Sequence, residues 1–493
     1  LTSNDTTVVL VTGRDLLEFH FPSPPAGDDS VNTFIIDAVG FGAISDRSSG
    51  AINASVDYSA NTITLKDRST RIPIDSTFVY IDNQTFSEAG FTNASGIYTT
   101  GIDIDNMYDI YIYKPGYRPL KVQHTSYIFG REVWTDDIEL VGDVFVTDTM
   151  IIFAGTNIYA TAYSDGKASG YNTSRTELIL EGDLFAFGTE YDTIKFVSDS
   201  LGDESVNWQG IVVDDSGSFN AAFVEFQNAY TSVRSLPNST NTSITNMKNS
   251  GDLYFESTLF NLENSESAGD VLINNPDSGS IISGCLFDME NVDFIVNKGT
   301  NELTISNTTF DNINGTGLTV SGSDVILDSV TFIGTSDQGT YGIFTGKSSE
   351  ITLSECSIDH VEIGIHAQDN ASVNVENTSA TIPTSITNCD IFVRNANTSG
   401  IPELNCEYVW WGDSIGPDFS KLEYPSTIDY YPWIGWCRYD CGSPYVHCVP
   451  LEYTDIQSGV DAADSSNPDT VFLFPGTFYE RGITVNKEIV IEG

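Results

Sequence analysis

The sequence predicts an all-β chain whose larger part is a solenoid of stacked, parallel coils. Three observations carry that prediction. An eight-residue phrase recurs seven times between Phe219 and Ala380. Its apolar and polar positions alternate as they do along a strand. At 493 residues the chain is also too long for one ordinary core unless much of it is built from repeats.

The copies read FNAAFVEF from Phe219, LYFESTLF from Leu253, SIISGCLF from Ser280, LTISNTTF from Leu303, VILDSVTF from Val325, ITLSECSI from Ile351 and VNVENTSA from Val373. Their starts lie roughly 22 to 34 residues apart, the spacing of solenoid repeats. The last position reads Phe226, Phe260, Phe287, Phe310, Phe332, Ile358 and Ala380. The third is always apolar, and the sixth is always small, with Cys285 and Cys356 among its occupants. These columns are expected to stack inward, coil on coil, over roughly eleven to twelve coils at ~4.8 Å each.

In chain order, residues 1–75 hold short β runs (Thr7–Thr12, Thr33–Val39, Thr62–Lys66) between Gly, Pro, Ser and Asp turns. Residues 76–139 hold a denser strand set: TFVYIDNQTF, GIYTTGIDI and YDIYIYKPGYRPLKV. Residues 140–450 carry the solenoid and an aromatic, Cys-rich cap. In 451–493, DIQSGVDAA places Ile456, Val460 and Ala463 at helical spacing, and DTVFLFPGTFYERGITVNKEIVIEG reads as the first rung of a second solenoid. A lone coil cannot bury its own face. Either a longer protein continues beyond Gly493, or the rung docks on a neighbouring molecule by strand addition, giving a head-to-tail homopolymer through 453–493.

Two resemblances follow from these segments. The strand set with its Lys114–Tyr117 turn resembles the transthyretin-like, carboxypeptidase-regulatory-like β-sandwich. LVGDVFVTDTMIIFAGTNIYA, TELILEGDLFAFGTEYDTIKFVSD and NWQGIVVDD are similar to the first coils of right-handed parallel β-helices of the pectin-lyase-like superfamily, and Tyr408–Trp436 is similar to their aromatic terminators. The resemblance implies a right-handed parallel β-helix preceded by a small β-sandwich.

Lys plus Arg number 21 against 69 Asp plus Glu, a formal charge of -48. Such a surface repels phosphate backbones and anionic lipid, so nucleic acid is excluded as a partner. No window approaches 18 consecutive apolar residues, so nothing is expected to span a bilayer. The chain starts at Leu1 without initiator Met or signal peptide and reads as a mature or trimmed product. Asn-x-Ser/Thr occurs at Asn4, Asn53, Asn83, Asn93, Asn172, Asn238, Asn241, Asn307, Asn314, Asn370, Asn377 and Asn397, the candidate glycosylation sites. Cys389, Cys406, Cys437, Cys441 and Cys448 cluster late and read as disulfide staples of an exported protein; a zinc site is the lesser alternative.

Because the superfamily contains lyases, hydrolases and epimerases, acids on neighbouring coils are the place to look for catalysis. Asp328 and Glu355 are the best pair; Glu256 and Glu376 stand alone, and Asp288 and Asp311 lie one residue past the Phe column. The Asp214-Asp215 doublet resembles the paired acids of polygalacturonases, but the accompanying His and Arg-Lys motifs are not found. His360 and His366 read as structural. Asp103, Asp105 and Asp109, and the run Asp199–Glu204, could offer oxygens to Ca²⁺, without the EF-hand pattern. No catalytic residue and no cofactor other than that Ca²⁺ is assigned.

The resulting expectation is a non-enzymatic, extracellular structural glycoprotein that self-assembles into a cell-surface layer, sheath or filament. It resembles in style the β-helix surface proteins of methanogenic archaea. The alternatives are an adhesin or polysaccharide-binding protein, favoured by aromatic platforms along one face, and a β-helix polysaccharide lyase or hydrolase.

Overall fold

The computed structural model describes residues 7–12, 15–20, 50–57, 60–83, 86–102, 108–161, 169–198, 208–335, 340–376, 383–397, 402–413, 416–430, 433–434, 446–449, 453–464, 469–473 and 480–492. The chain divides into two units, Leu1–Ser49 and Gly50–Gly493. In the first, Thr7–Thr12 and Asp15–His20 form an antiparallel pair with Thr7 opposite His20. The expected run Thr33–Val39 lies outside the described residues.

The second unit opens with an antiparallel module of two sheets. Ile52–Asp57, Thr62–Asp67 and Ile97–Thr99 form one. Phe78–Asn83, Phe86–Phe91, Asp109–Tyr113 and Leu120–Ile128 form the other. Alternate residues of both sheets, among them Ile52, Ile63, Leu65, Val79, Ile81, Ile110 and Val122, share one buried core. The boundary expected at residue 75 falls inside this module, whose core takes Ile74 from one side of it and Val79 from the other. Residues 67–70 form a tight turn within it: the Asp67 carboxylate accepts from the amides of Ser69 and Thr70, which holds its pKa down at about 2.

Leu120–Ile128 also pairs in parallel with Asp137–Val146, so the module's last strand is the first of the solenoid. From there the chain winds over three parallel faces. The first face is a sheet of thirteen strands, from Glu132–Trp134 to Ile428–Asp429, slightly more than the coil number expected. The second runs from Asn157–Ala160 to Ser385–Thr387. The third runs from Glu177–Leu180 to Leu422–Glu423. Each coil visits the faces in that order.

The inward columns are as the sequence indicates from Ser280 onward. Ile282, Ile305, Leu327, Leu353 and Val375 stack on the first face. Phe287, Phe310, Phe332, Ile358 and Ile386 stack on the second. Phe310 and Phe332 lie 4.8 Å apart and nearly coplanar.

Two copies require correction. LYFESTLF spans the third face and the first, whereas the other five copies described in full span the first and second. The coils in phase at this level are Thr242–Asn249 and Phe260–Ser267, so the second-face column reads Phe226, Asn249, Ser267, Phe287. Asn249 and Ser267 are buried, and Asn249 Nδ2 donates to Ser267 Oγ at 2.9 Å and to the Gly251 carbonyl at 2.6 Å. Phe255 and Phe260, stacked at 4.3 Å, supply the aromatic bulk there instead. In the last copy the column is continued by Ile386; Ala380 lies outside the described residues.

The bend from first to second face uses one left-handed residue per coil: Phe223, Asn246, Asn264, Gly284, Asn307, Ser329 and Glu355, with φ of 47° to 66°. Asn and Gly tolerate that conformation best, which explains their frequency at this position. The amides of the first six donate to the next coil, as Asn307 does to the Asp328 carbonyl at 2.9 Å.

Buried Trp411, packed on Phe392 at 5.5 Å, and the Phe419, Tyr430, Trp433 cluster cover the last coil. Beyond it, Val446–Val449, Thr470–Leu473 and Val490–Glu492 form a second parallel sheet. The helix Ile456–Ala462, N-capped by Asp455, packs Ile456 and Val460 against Val449 and Val471, and Ala463 follows them into that cluster.

Two of the expected disulfide cysteines are something else. Cys389 and Cys406 are free, buried thiols. Cys389 Sγ donates to the Thr387 carbonyl at 3.1 Å. Burial pushes the thiol of Cys389 to about 11 and that of Cys406 to about 12. Cys285 and Cys356 are likewise buried and free, with thiols pushed up to about 11 and about 12. Cys448 is buried and not among the free thiols, and Cys437 and Cys441 lie outside the described residues.

Candidate functional site

On the third face, strand alternation turns every second side chain outward. The outward column from Arg234 runs Arg234, Tyr254, Leu272, Ile295, Thr319, Phe344, His366, Arg394 and Glu423. Long and aromatic side chains concentrate here, while the matching first-face column is largely Asn, Ser and Thr. Over the coils from Gln209 to Ile295 the column floors a cleft of about 420 Å³.

Three acids stand at or one residue before the start of successive third-face strands along this cleft. Asp270 N donates to Asp252 Oδ1 at 3.2 Å, and Asp293 N donates to Asp270 Oδ1 at 2.8 Å. The Asp252 and Asp270 carboxylates thus each satisfy the corner amide of the next coil. Burial, with the Asp270 charge beside it, raises the pKa of Asp252. Facing them, the Arg234 guanidinium sits 5.2 Å from the Tyr254 ring centre and 5.8 Å from that of Tyr171. Arg175 lies 4.7 Å over Tyr230. Tyr254 Oη donates to Glu256 Oε2 at 2.8 Å and accepts from Asn274 Nδ2 at 3.2 Å, so its ring is held in place. Among the described residues Arg234 makes no ion pair.

Further along the column, Phe344 and His366 stack at 4.9 Å. Burial and the charge of Arg394 lower the His366 pKa. Arg394 grips Glu423 with two nitrogens, Nη2 to Oε1 at 2.9 Å.

The residues singled out in the sequence lie elsewhere. Asp328 is exposed at the end of a first-face strand, opposite Ser354, and Glu355 occupies the left-handed corner with φ 54°, in the next column over. The structure does not bring the pair into the cleft. Glu376 accepts from Asn374 Nδ2 at 2.8 Å. Asp288 and Asp311 are in register, Asn312 Nδ2 bridging to Asp288 at 3.3 Å. Asp214 accepts from Tyr171 Oη and from the Asp215 amide, as a turn residue does. His360 pairs with Asp359 at 2.6 Å on the surface, away from His366.

Of the Ca²⁺ candidates, Asp109 meets Lys121 Nζ at 3.2 Å, an ammonium where a cation site needs further oxygens. Asp103 and Asp105, and the run Asp199–Glu204 apart from its neighbours, lie outside the described residues. Among the described residues no group of three or more His, Cys, Asp or Glu is placed to hold a metal ion.

Two glycosylation candidates are corrected. Asn53 is buried, its Nδ2 donating to Glu139 Oε1 at 3.1 Å, and Asn397 is buried, its Nδ2 donating to the Ala371 carbonyl at 2.9 Å. Asn93, Asn238, Asn307, Asn314 and Asn370 are exposed; Asn83, Asn172 and Asn241 are half-buried. Asn4 and Asn377 lie outside the described residues.

The cleft residues were missed in the sequence, although a signal exists. Asp252-Leu-Tyr-Phe, Asp270-Val-Leu-Ile and Asp293-Phe-Ile-Val share an acid followed by alternating inward positions.

The family described as right handed beta helix region matches residues 293–401, within the later coils of the solenoid. The fold is a right-handed parallel β-helix. No curated protein and no solved structure matches the chain. The matched residues begin where the cleft ends, so the match supports the fold and leaves the cleft to be read from its own side chains.

Proposed function

We propose that this β-helix chain is an extracellular structural protein, a stiff element of a cell-surface layer, sheath or filament, and not an enzyme. The observation that carries the reading is the resumption of parallel rungs after the aromatic cap, in the sheet Val446–Val449, Thr470–Leu473, Val490–Glu492. A chain that repeats the same architecture in series gains length and stiffness, which suits an envelope component. The net charge of -48 and the exposed sequons agree with a hydrated, glycan-bearing surface of the archaeal kind. The antiparallel module resembles a carboxypeptidase-regulatory-like sandwich. Head-to-tail contact between copies would use the terminal sheet, whose Val490 and Ile491 are exposed. Its target on a neighbour would be the first-face edge at Glu132–Trp134, because the other starting edges are covered by Leu120–Ile128. Negative-stain microscopy of the full chain with and without residues 453–493 tests this: fibres or sheets that need the segment support it, and dispersed particles in both samples refute it.

A second reading, polysaccharide binding at the cell surface, is favoured by the cleft on the third face with its tyrosines and Arg234. It is compatible with a structural role, since an envelope element can be anchored by a glycan.

A further inference from the structure

We infer that the third-face cleft binds a linear, uncharged saccharide chain laid along the solenoid axis, an inference that rests on the polysaccharide-binding reading above. The cleft is open and is lined from five successive coils: Arg234, Tyr254, Leu272 and Ile295 stand in one outward column, and Gln209 and Tyr230 line its upper end from the corners before their strands. Four steps of ~4.8 Å give a footprint of roughly 19 Å, the reach of a short run of sugar rings and far more than one small molecule needs.

The lining is amphoteric. Arg234 supplies donors, and its cation has no acidic partner among the described residues although the chain carries 69 acids. Asp252, Asp270 and Asp293 supply acceptors, each using one oxygen or none on the neighbouring amides. Hydroxyl groups both donate and accept, so a polyol can satisfy both kinds of group at once. Tyr230, Tyr254, Leu272 and Ile295 offer apolar surface between these polar points, suited to the C–H faces of sugar rings.

The same charges exclude other occupants. Three lining carboxylates outnumber Arg234 and the neighbouring Arg175 over Tyr230, and within a chain of -48 they repel the uronate polymers on which pectin-lyase-like enzymes act. Arg234, set between Tyr171 and Tyr254, repels the side chains of a lysine- or arginine-rich peptide. A neutral glycan meets neither penalty.

The test uses the full chain on an array of linear hexaoses of glucose, xylose, mannose, galactose and N-acetylglucosamine, with oligogalacturonates alongside. Affinity for the best neutral hexaose is then measured by calorimetry for wild type, Tyr254→Ala, Arg234→Ala and the first-face control Asp328→Ala, each checked for an unchanged thermal midpoint. The expected result is neutral binding weakened roughly tenfold by Tyr254→Ala and by Arg234→Ala and unchanged by Asp328→Ala. Preferential binding of oligogalacturonate overturns the inference while leaving the polysaccharide reading standing. Binding of neither class overturns both. Neutral binding untouched by the Tyr254 and Arg234 variants removes the site from this cleft.

Discussion

Replacing Phe310 with Ala should open the solenoid locally and at high cost. Phe310 is fully buried and meets Phe332 at 4.8 Å, Phe294 at 5.1 Å and Phe287 at 5.3 Å. A core Phe→Ala change costs about 3–5 kcal/mol, and three aromatic partners place this one near the upper end. The comparison is Ser267→Ala in the same column two coils earlier. There Asn249 Nδ2 loses an acceptor at 2.9 Å but keeps the Gly251 carbonyl at 2.6 Å, so about 1 kcal/mol is expected. Stacked coils contact only their neighbours, so the loss should be regional. Hydrogen exchange is the assay: Phe310→Ala should lower protection first in Leu286–Asp288, Thr309–Ile313 and Thr331–Gly334. Equal effects of the two substitutions, or a loss spread evenly over the whole chain, would refute the stacked-column account.

Three further outcomes follow from named groups. Burial lifts the Asp137 carboxyl to about 6 despite Arg118 at 2.6 Å, so the folded state holds that proton more tightly than the unfolded one. The contribution is complete below about pH 4 and fades as pH rises through 6, a change of about 3 kcal/mol; Asp137→Asn should flatten urea midpoints over this window. Alkylation of the native chain at pH 8 should leave Cys285, Cys356, Cys389 and Cys406 unmodified and label all four after unfolding, because a thiol at about 11 or higher is thiolate in roughly one molecule per thousand. Glycopeptide mapping of native material should find Asn53 and Asn397 bare, with any occupancy at Asn93, Asn238, Asn307, Asn314 or Asn370; a glycan on Asn53 would contradict its bond to Glu139.

The solenoid was readable because inward columns repeat with strand alternation, and Phe287, Phe310 and Phe332 fell where that pattern put them. The phase slip at Leu253 has a geometric cause. Every face alternates, so strand, bend and strand also occur between third and first faces, and Phe255 and Phe260 mimic the repeat there. The coils ending in Asn249 and Ser267 escaped notice because a hydrogen bond replaces an aromatic contact.

Cys389 and Cys406 could have been read correctly. Ser385-Ile-Thr-Asn-Cys389 aligns with Ser357-Ile-Asp-His-Val361, and Asn405-Cys406-Glu407 aligns with Asn374-Val375-Glu376, so each thiol replaces an inward Val. The burial of Asn53 was not legible, since it depends on Glu139, 86 residues away in sequence. The cleft was overlooked because its side chains are outward, where a search for paired acids gives no weight to Tyr or to an isolated Arg.

The strand Leu120–Ile128 belongs at once to the antiparallel module and to the first coil. Each coil of a parallel stack inherits its register from the one before, and a one-residue slip would turn every inward side chain out. The module contributes a strand whose register is set by its own antiparallel partner, Ile112 opposite Leu120, and by burial in the module's core. It can therefore act as a template: a coil laid on Leu120–Ile128 from Asp137–Val146 starts in the correct register, which each later coil can copy.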